Sequence, residues 1–295
     1  MKPAPFDYVA PATLEEALSV LAEHGSSAKL LAGGQSLIPA MNFRLAQPSL
    51  IVDLNRLTIL SRIHPDESHG MRIGAMVRQS ELEHSPLVKE LAPLLHHVMP
   101  HVAHPQIRNR GTLGGSLAHA DPASELPVIM VALQAGFKLR SSNGERWVNA
   151  IDFFEGLFST ALEPEEILLE VALPPKWSTS GYAFLEQARR HGDYAQAGVA
   201  AVVTLNTGGQ CQSLQLVYLN AGDKPMVAHA AAQMMVGNIP TPELIDEVAN
   251  YASQEEIDPV SDIHDSAAFR RHLAYVLGKR ALTSAVTDAR TGIAQ

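Results

Sequence analysis

The sequence predicts a protein of mixed helix and strand, built as two domains. Three observations carry this. A capped helix, a short apolar strand and a glycine turn follow one another between Thr13 and Ser36, the pattern of a small α/β unit. Leu173-Pro174-Pro175-Lys176 reads as a linker, because two prolines end a strand and stiffen the joint. Beyond it the pattern changes to two strands followed mostly by helices. A chain of 295 residues is also long enough for more than one core.

Thr13-Leu14-Glu15-Glu16 is a capping box: the Thr13 hydroxyl can accept from the Glu16 amide, and the Glu16 carboxylate can reach back. Leu14, Ala17, Leu18 and Leu21 follow at helical spacing, and Gly25 stands where a helix stops. Lys29-Leu30-Leu31-Ala32 reads as a buried strand running into Gly33-Gly34-Gln35-Ser36, with another strand at 50–54. Residues 58–78 read as two strands, the second at 71–77. Ser80 and Glu83 form a second capping box, and 86–98 is a helix. Gly111-Thr112-Leu113-Gly114-Gly115-Ser116 reads as a tight glycine loop. Asp121 before Pro122 reads as an N-cap with proline at N1, opening a helix through Glu125 to about Leu133. Asn143-Gly144 predicts a hairpin between strands at 137–141 and 146–148, and 166–173 is a further strand. Past the linker, strands at 197–205 and 211–219 are joined by Thr207-Gly208-Gly209-Gln210. Helices follow at about 226–236, 242–252 and 266–287. The domain boundary is expected near residue 177.

Composition removes several function classes. The chain is 46% hydrophobic and 18% charged, as in an ordinary globular protein. Its net charge of −9 and lack of a long basic run argue against nucleic acid as a partner. One cysteine, Cys211, excludes a disulfide framework within the chain. It also excludes an iron–sulfur cluster held by this chain alone, which needs about four thiolates. Residues 1–10 contain two prolines and Asp7, unlike a signal peptide. The longest apolar run, 126–133, is far shorter than the roughly 20 residues that span a bilayer. A soluble cytoplasmic protein without membrane insertion is the expectation.

The two glycine stretches carry the functional signal. A phosphate needs close backbone approach and free amide donors, which glycine allows, and a neighbouring hydroxyl adds a donor. Two such loops could hold the two phosphates of a dinucleotide from both sides. Neither matches G-x-G-x-x-G or the phosphate-binding G-x-x-x-x-G-K-[ST], and each Gly-Gly pair would equally serve as a tight turn.

Three segments together narrow this. They are Leu31-Ala32-Gly33-Gly34-Gln35-Ser36-Leu37-Ile38-Pro39, the run from Ile107 to Pro122 containing Gly111-Thr112-Leu113-Gly114-Gly115-Ser116, and Ala188-Arg189-Arg190-His191-Gly192-Asp193-Tyr194-Ala195. In order and spacing the sequence resembles the FAD-binding medium subunits of molybdenum hydroxylases over essentially its whole length. That family includes the flavin subunits or domains of carbon monoxide dehydrogenase, quinoline oxidoreductase and xanthine dehydrogenase.

The resemblance implies an α+β fold. A two-part FAD-binding domain of the vanillyl-alcohol-oxidase type at 1–176, with parts at about 1–57 and 58–176, precedes a smaller C-terminal α+β domain at 177–295. It implies a first FAD loop of Lys29, Leu30, Leu31, Ala32, Gly33, Gly34, Gln35 and Ser36 around the pyrophosphate. A second comprises Thr112, Leu113, Gly114, Gly115 and Ser116. Both are expected to use backbone amides and the Ser36, Thr112 and Ser116 hydroxyls. Val102 corresponds to an apolar flavin contact, Glu125 to an acidic cofactor contact and Leu168 to an apolar contact near the adenine. Tyr194 is expected to cover one face of the isoalloxazine, against the alternative of a core tyrosine. Where the family has a lysine contact, this sequence has Leu185 or Glu186. Arg108, Arg110, Arg189 and Arg190 could neutralise pyrophosphate, contact a partner or keep the surface soluble.

His97, His101 and His104 have metal-ligand spacings, but Pro100 and Pro105 interrupt a common helix, and no metal site is expected. No catalytic acid, base or nucleophile is assigned, since Gly34-Gln35-Ser36-Leu37 lacks the second glycine of G-x-S-x-G. By resemblance, the chain is the electron-transfer subunit of an oxidoreductase. It passes electrons from two [2Fe–2S] clusters on a small subunit, through FAD, to an external acceptor. A large subunit carries the molybdopterin cofactor and hydroxylates substrate, an N-heteroaromatic by the similarity to the quinoline-type medium subunit. The assembly is expected to be a dimer of heterotrimers. Two alternatives are a stand-alone FAD-dependent oxidase or reductase, which needs its own substrate pocket and base, and a non-enzymatic dinucleotide-binding scaffold.

Overall fold

A computed structural model describes residues 1–67, 70–175 and 179–293. The expected boundary at 176/177 lies outside the described residues. Thr13 caps the helix Leu14–His24 as its box predicts. Its Oγ1 accepts from the Glu16 amide at 3.2 Å, and Glu16 Oε2 accepts from the Ala12 and Thr13 amides at 2.8 and 3.4 Å. The buried stripe Leu14, Ala17, Leu18 and Leu21 shares a core with a parallel three-stranded sheet. Its strands are β1 (Asp7–Val9), β2 (Ala28–Leu31) and β3 (Leu50–Asp53), in the order β1-β3-β2.

Seven strands follow: β4 (Ile63–Asp66), β5 (Gly70–Gly74), β6 (Gly136–Ser141), β7 (Gly144–Asn149), the short pair β8 (Phe154–Gly156) and β9 (Ser159–Thr160), and β10 (Ile167–Leu173). Five of them make an antiparallel sheet in the order β4-β5-β10-β6-β7, with the predicted Asn143-Gly144 turn joining β6 to β7.

Several local expectations gave way to longer-range chemistry. The helix expected over 86–98 is two helices, Pro86–Leu91 and Pro93–Val98, because Pro93 cannot donate and Ala92 leaves helical geometry (φ −136°, ψ 62°). Ser80 and Glu83 do not form a capping box: the helix is Gln79–His84, its N-cap is Arg78, and no side chain caps it. Glu83 is bound to Arg108 instead. Asp121 does not cap the following helix. Its Oδ1 accepts from the Ala123 amide at 2.9 Å in a preceding turn, and the helix begins at Glu125 behind Ser124. The second glycine stretch is not a loop, since Gly114, Gly115 and Ser116 lie in the first turns of the helix Leu113–His119.

The C-terminal sheet has the order β11-β12-β13-β14: β11 (Ser180–Ala188), β12 (Ala195–Leu205), β13 (Cys211–Leu219) and β14 (Met226–Val227). Strand β11 was not expected from sequence, and the segment expected as helix from 226 opens with β14 before the helix His229–Met235. Residues of β12 alternate between two cores. Val199, Ala201 and Val203 share a core with the helix Ala267–Ile293, on which Pro242–Glu255 packs, while Ala200, and Ala195 beyond a bulge, join the core of the first domain. On that inner face lies the helix Glu125–Ala132. All eight of its residues are buried, and it packs on β12 and β13 as well as on its own domain. A helix apolar all round belongs inside a core. Here one cluster runs from Met71 through Val128 to Leu219, across the division between domains.

Candidate functional site

The first glycine segment leaves β2 at Leu31 and enters the helix Leu37–Asn42. Gly34 has φ +74°, in the left-handed region that favours glycine. Gln35 Nε2 donates back to the Gly33 carbonyl at 2.9 Å, which tightens the turn. Among the described residues, the amides of Gly33, Gly34, Gln35 and Ser36 donate to no protein group. Four consecutive uncommitted donors in a half-buried turn make a concavity suited to an anion.

The second segment is wired differently. Leu113 N donates to Val77 O at 3.0 Å and Gly114 N to Ala75 O at 2.8 Å. Gly115 N donates to the Thr112 hydroxyl at 3.0 Å, and Ser116 Oγ shares a hydrogen bond with Ser124 Oγ at 3.0 Å. These amides are committed within the protein, because the segment is a capped helix start, while the Thr112 hydroxyl accepts from Gly115 and keeps its own hydrogen to donate. What the segment adds is a close wall. A Cβ on Gly115 would come 3.2 Å from Ala32 Cβ and 4.0 Å from Gly33 N. A Cβ on Gly33 would come 2.3 Å from Arg110 O and 2.7 Å from Gly111 Cα. The two segments, far apart in sequence, therefore face each other across glycine surfaces.

Beneath them sits a polar cluster that sequence reasoning missed. The Arg78 guanidinium donates through one terminal nitrogen to Arg110 O and through the other to Asn55 Oδ1. Asn55 Nδ2 donates to Ala32 O at 2.9 Å. Asp53 accepts from Tyr8 Oη at 2.6 Å and from the Asn55 amide at 2.8 Å. No motif announces Arg78 or Asn55. Arg108 is not a surface cation: only 5% exposed, it forks onto Glu83 at 2.7 and 2.9 Å and donates to Val102 O at 2.9 Å. It thereby fixes the turn holding Val102, beside Ala103 at φ +44°.

The remaining singled-out residues separate by burial. Val102 and Leu168 are buried, Leu30 packs against the first core, and Lys29 is exposed. Glu125 is buried at the start of its helix; burial pushes its carboxyl up to about 8, helped by the nearby charges of Glu186 and Asp121. The Glu186 side chain on β11 bonds His101 Nδ1 through Oε1 at 3.2 Å, and its buried Oε2 has no partner among the described residues. Leu185 joins the C-terminal core instead. His101 also packs edge-on against Phe184, with ring centroids 5.4 Å apart. Tyr194 is 69% exposed and is not a core tyrosine. Partial burial raises its hydroxyl pKa, as does the neighbouring Asp121 carboxylate. Gly192, at φ +88°, brings the arginine-bearing turn onto His104: a Cβ there would lie 2.3 Å from the imidazole Cε1.

These residues fit a dinucleotide. The undonated amides suit a diphosphate, and the glycine surfaces at Gly33 and Gly115 leave no Cβ in the way. Among the described residues no group of three or more His, Cys, Asp or Glu is arranged to hold a metal. No helix among them is long and apolar enough to cross a membrane.

Comparison with known proteins agrees with this geometry. The family model described as the FAD binding domain in molybdopterin dehydrogenase matches residues 4–176. That of the CO dehydrogenase flavoprotein C-terminal domain matches residues 182–285. The chain is 40% identical over 290 residues to the 6-hydroxypseudooxynicotine dehydrogenase complex subunit alpha of Paenarthrobacter nicotinovorans, covering 98% of this chain and 97% of that one. It is 37% identical over 289 residues to the caffeine dehydrogenase subunit beta of Pseudomonas sp. strain CBB1, covering 97% and 96%. A solved chain of the carbon monoxide dehydrogenase of Hydrogenophaga pseudoflava superposes with a TM-score of 0.94 at 37% identity, covering 98% and 99%.

Proposed function

Because the chain belongs to the family of FAD-binding medium subunits of molybdenum hydroxylases, we propose that it relays electrons from a partner's [2Fe–2S] clusters to an external acceptor. The observation that carries this is the run of undonated amides at Gly33–Ser36, with Gly115 set close against Ala32 and Gly33. FAD, when bound, supplies the capacity to collect single electrons and deliver a pair.

The chain's own part is binding and orientation. Gly33, Gly34, Gln35 and Ser36 donate amides to the pyrophosphate, and Ala32, Thr112, Leu113, Gly114, Gly115 and Ser116 close over it. Lys29, Leu30 and Leu31 contribute as the strand that delivers the loop. Val102 and Leu168 give apolar contact, and Glu125 offers a carboxyl that burial keeps protonated near neutral pH. Tyr194, exposed beside Asp121, covers one face of the isoalloxazine and limits access to it. The division at 176/177 separates the FAD-binding domain from the C-terminal domain.

The proposed partners are a large molybdopterin-binding subunit, where substrate is hydroxylated, and a small subunit with two [2Fe–2S] clusters, in a cytoplasmic dimer of heterotrimers. The proposed substrate is an N-heteroaromatic, the class suggested by the names of the pseudooxynicotine and caffeine relatives. Purifying the untagged protein from its source tests the reading. Stoichiometric FAD with two partner chains, iron and molybdenum is the expected result. A yellow single chain without either metal, turning over a substrate alone, would favour a stand-alone oxidase.

A further inference from the structure

We propose that Arg78 is a positioning residue, a strut that sets the separation of the two glycine segments and so governs affinity for the dinucleotide's diphosphate. This rests on the proposed function, and it adds a residue that no motif marks.

The argument starts from what the guanidinium touches. One nitrogen holds the Arg110 carbonyl, on the approach to the second segment, and the other holds Asn55 Oδ1. Asn55 in turn holds the carbonyl of Ala32, in the first segment, at 2.9 Å. One continuous chain of hydrogen bonds therefore runs from Ala32 to Arg110. The Arg110 carbonyl that Arg78 grips is the atom packed against Gly33: a Cβ at Gly33 would lie 2.3 Å from it. The backbone reinforces the connection. Arg78 forms an isolated bridge with Thr112, and the amide of Gln79 donates to Gly111 O at 2.9 Å. A planar fork with donors in fixed directions suits this task, and the point charge of a lysine lacks that fixed geometry.

Charge points the same way. Among the described residues neither Arg78 nor Arg110 forms an ion pair with a carboxylate. The nearest acid, Asp53, already serves Tyr8 and Asn55. Burial and the adjacent Arg110 charge hold the Arg78 guanidinium below its ordinary pKa. Two cations share the one carboxylate of Asp53, which leaves an excess of positive charge near the first segment. A bound diphosphate would offset it.

The test uses the full-length chain freed of flavin, with FAD and riboflavin as probes in equilibrium fluorescence titrations. Arg78→Ala is expected to weaken FAD at least tenfold. Asn55→Ala, which removes no charge, is expected to weaken it by a similar factor. The double variant should be little weaker than either single one, because both break the same strut. Riboflavin, which lacks the diphosphate, should bind all forms alike, and Arg78→Lys should recover only part of the loss. Unchanged FAD affinity in Arg78→Ala would overturn the inference. So would a loss confined to Arg78→Ala with Asn55→Ala unaffected, since charge rather than position would then be the cause. An equal loss of riboflavin would do so too, as the sign of general unfolding. Failure of the wild-type chain to take up FAD would overturn the proposed function itself, and the strut with it.

Discussion

Replacing Gly33 with alanine adds one methyl group where the structure leaves no room for it. The new carbon would stand 2.3 Å from Arg110 O, 2.7 Å from Gly111 Cα and 2.9 Å from Arg110 C, all backbone atoms. Ordinary contact begins near 3.4 Å, so the two segments must part by about 1 Å, and no side chain can rotate away to absorb it. Overpacking of this kind costs about 1–3 kcal/mol of stability. If the widened gap costs FAD a comparable amount, its affinity falls roughly five- to 150-fold, at 1.4 kcal/mol per factor of ten. Gly115→Ala provides an internal scale. Its Cβ meets the Thr112 hydroxyl at 2.8 Å and Ala32 Cβ at 3.2 Å, so a smaller adjustment suffices. Gly34→Ala meets only the flexible ends of Ile38 and Leu31, both at 3.2 Å, and its cost is mainly that of φ +74°. FAD content of the purified proteins and fluorescence titration of the flavin-free forms should rank Gly33→Ala worst and Gly34→Ala mildest. Wild-type affinity and an unshifted melting temperature in Gly33→Ala would refute the close facing of the two segments.

Further predictions concern the surroundings of the site. The Glu125 carboxyl titrates near 8 when folded against 4.5 in the unfolded chain, so its contribution to stability is complete below about 4.5 and is lost as pH rises through 8. The melting temperature of the flavin-free protein should fall over that window, and Glu125→Gln should flatten the fall; an identical pH profile would remove the assignment. Arg108→Ala strands Glu83 and releases the Val102 turn, with an expected cost of about 3 kcal/mol in chemical denaturation, as for other broken buried ion pairs. A cost below experimental error would show that the fork is not what holds the turn. Tyr194→Ala should alter the flavin's visible spectrum or its rate of reoxidation, and no change in either would mean that the ring does not cover it.

What the sequence made legible was local. The Thr13–Glu16 box and the Asn143-Gly144 turn succeed because every partner lies within a few residues. The box at Ser80 and Glu83 failed because Glu83 has a stronger partner, Arg108, 25 residues away. The strand β11 was overlooked because glycine and alanine weaken its strand character, and a charged residue, Glu186, shares the face of Tyr182 and Phe184. Both glycine segments stood out in the sequence. Their division of labour did not, because it depends on which amides find partners: Gly114 meets the Ala75 carbonyl, whereas Gly34 meets none. Arg78 and Asn55 were invisible because their meaning is a geometry, a bridge between segments that approach only after folding.

The helix Glu125–Ala132, enclosed on every side and seated against β12 and β13, bears on how this protein could be divided. Two family models meet near residue 180, as though two modules had been joined. Physically the two share one core, because cutting there would strip the helix Glu125–Ala132 of the strands β12 and β13 that pack on it. A shortened chain ending at the seam should precipitate rather than bind cofactor, and the whole protein should melt in one transition. The shared core ties the two halves together along that helix.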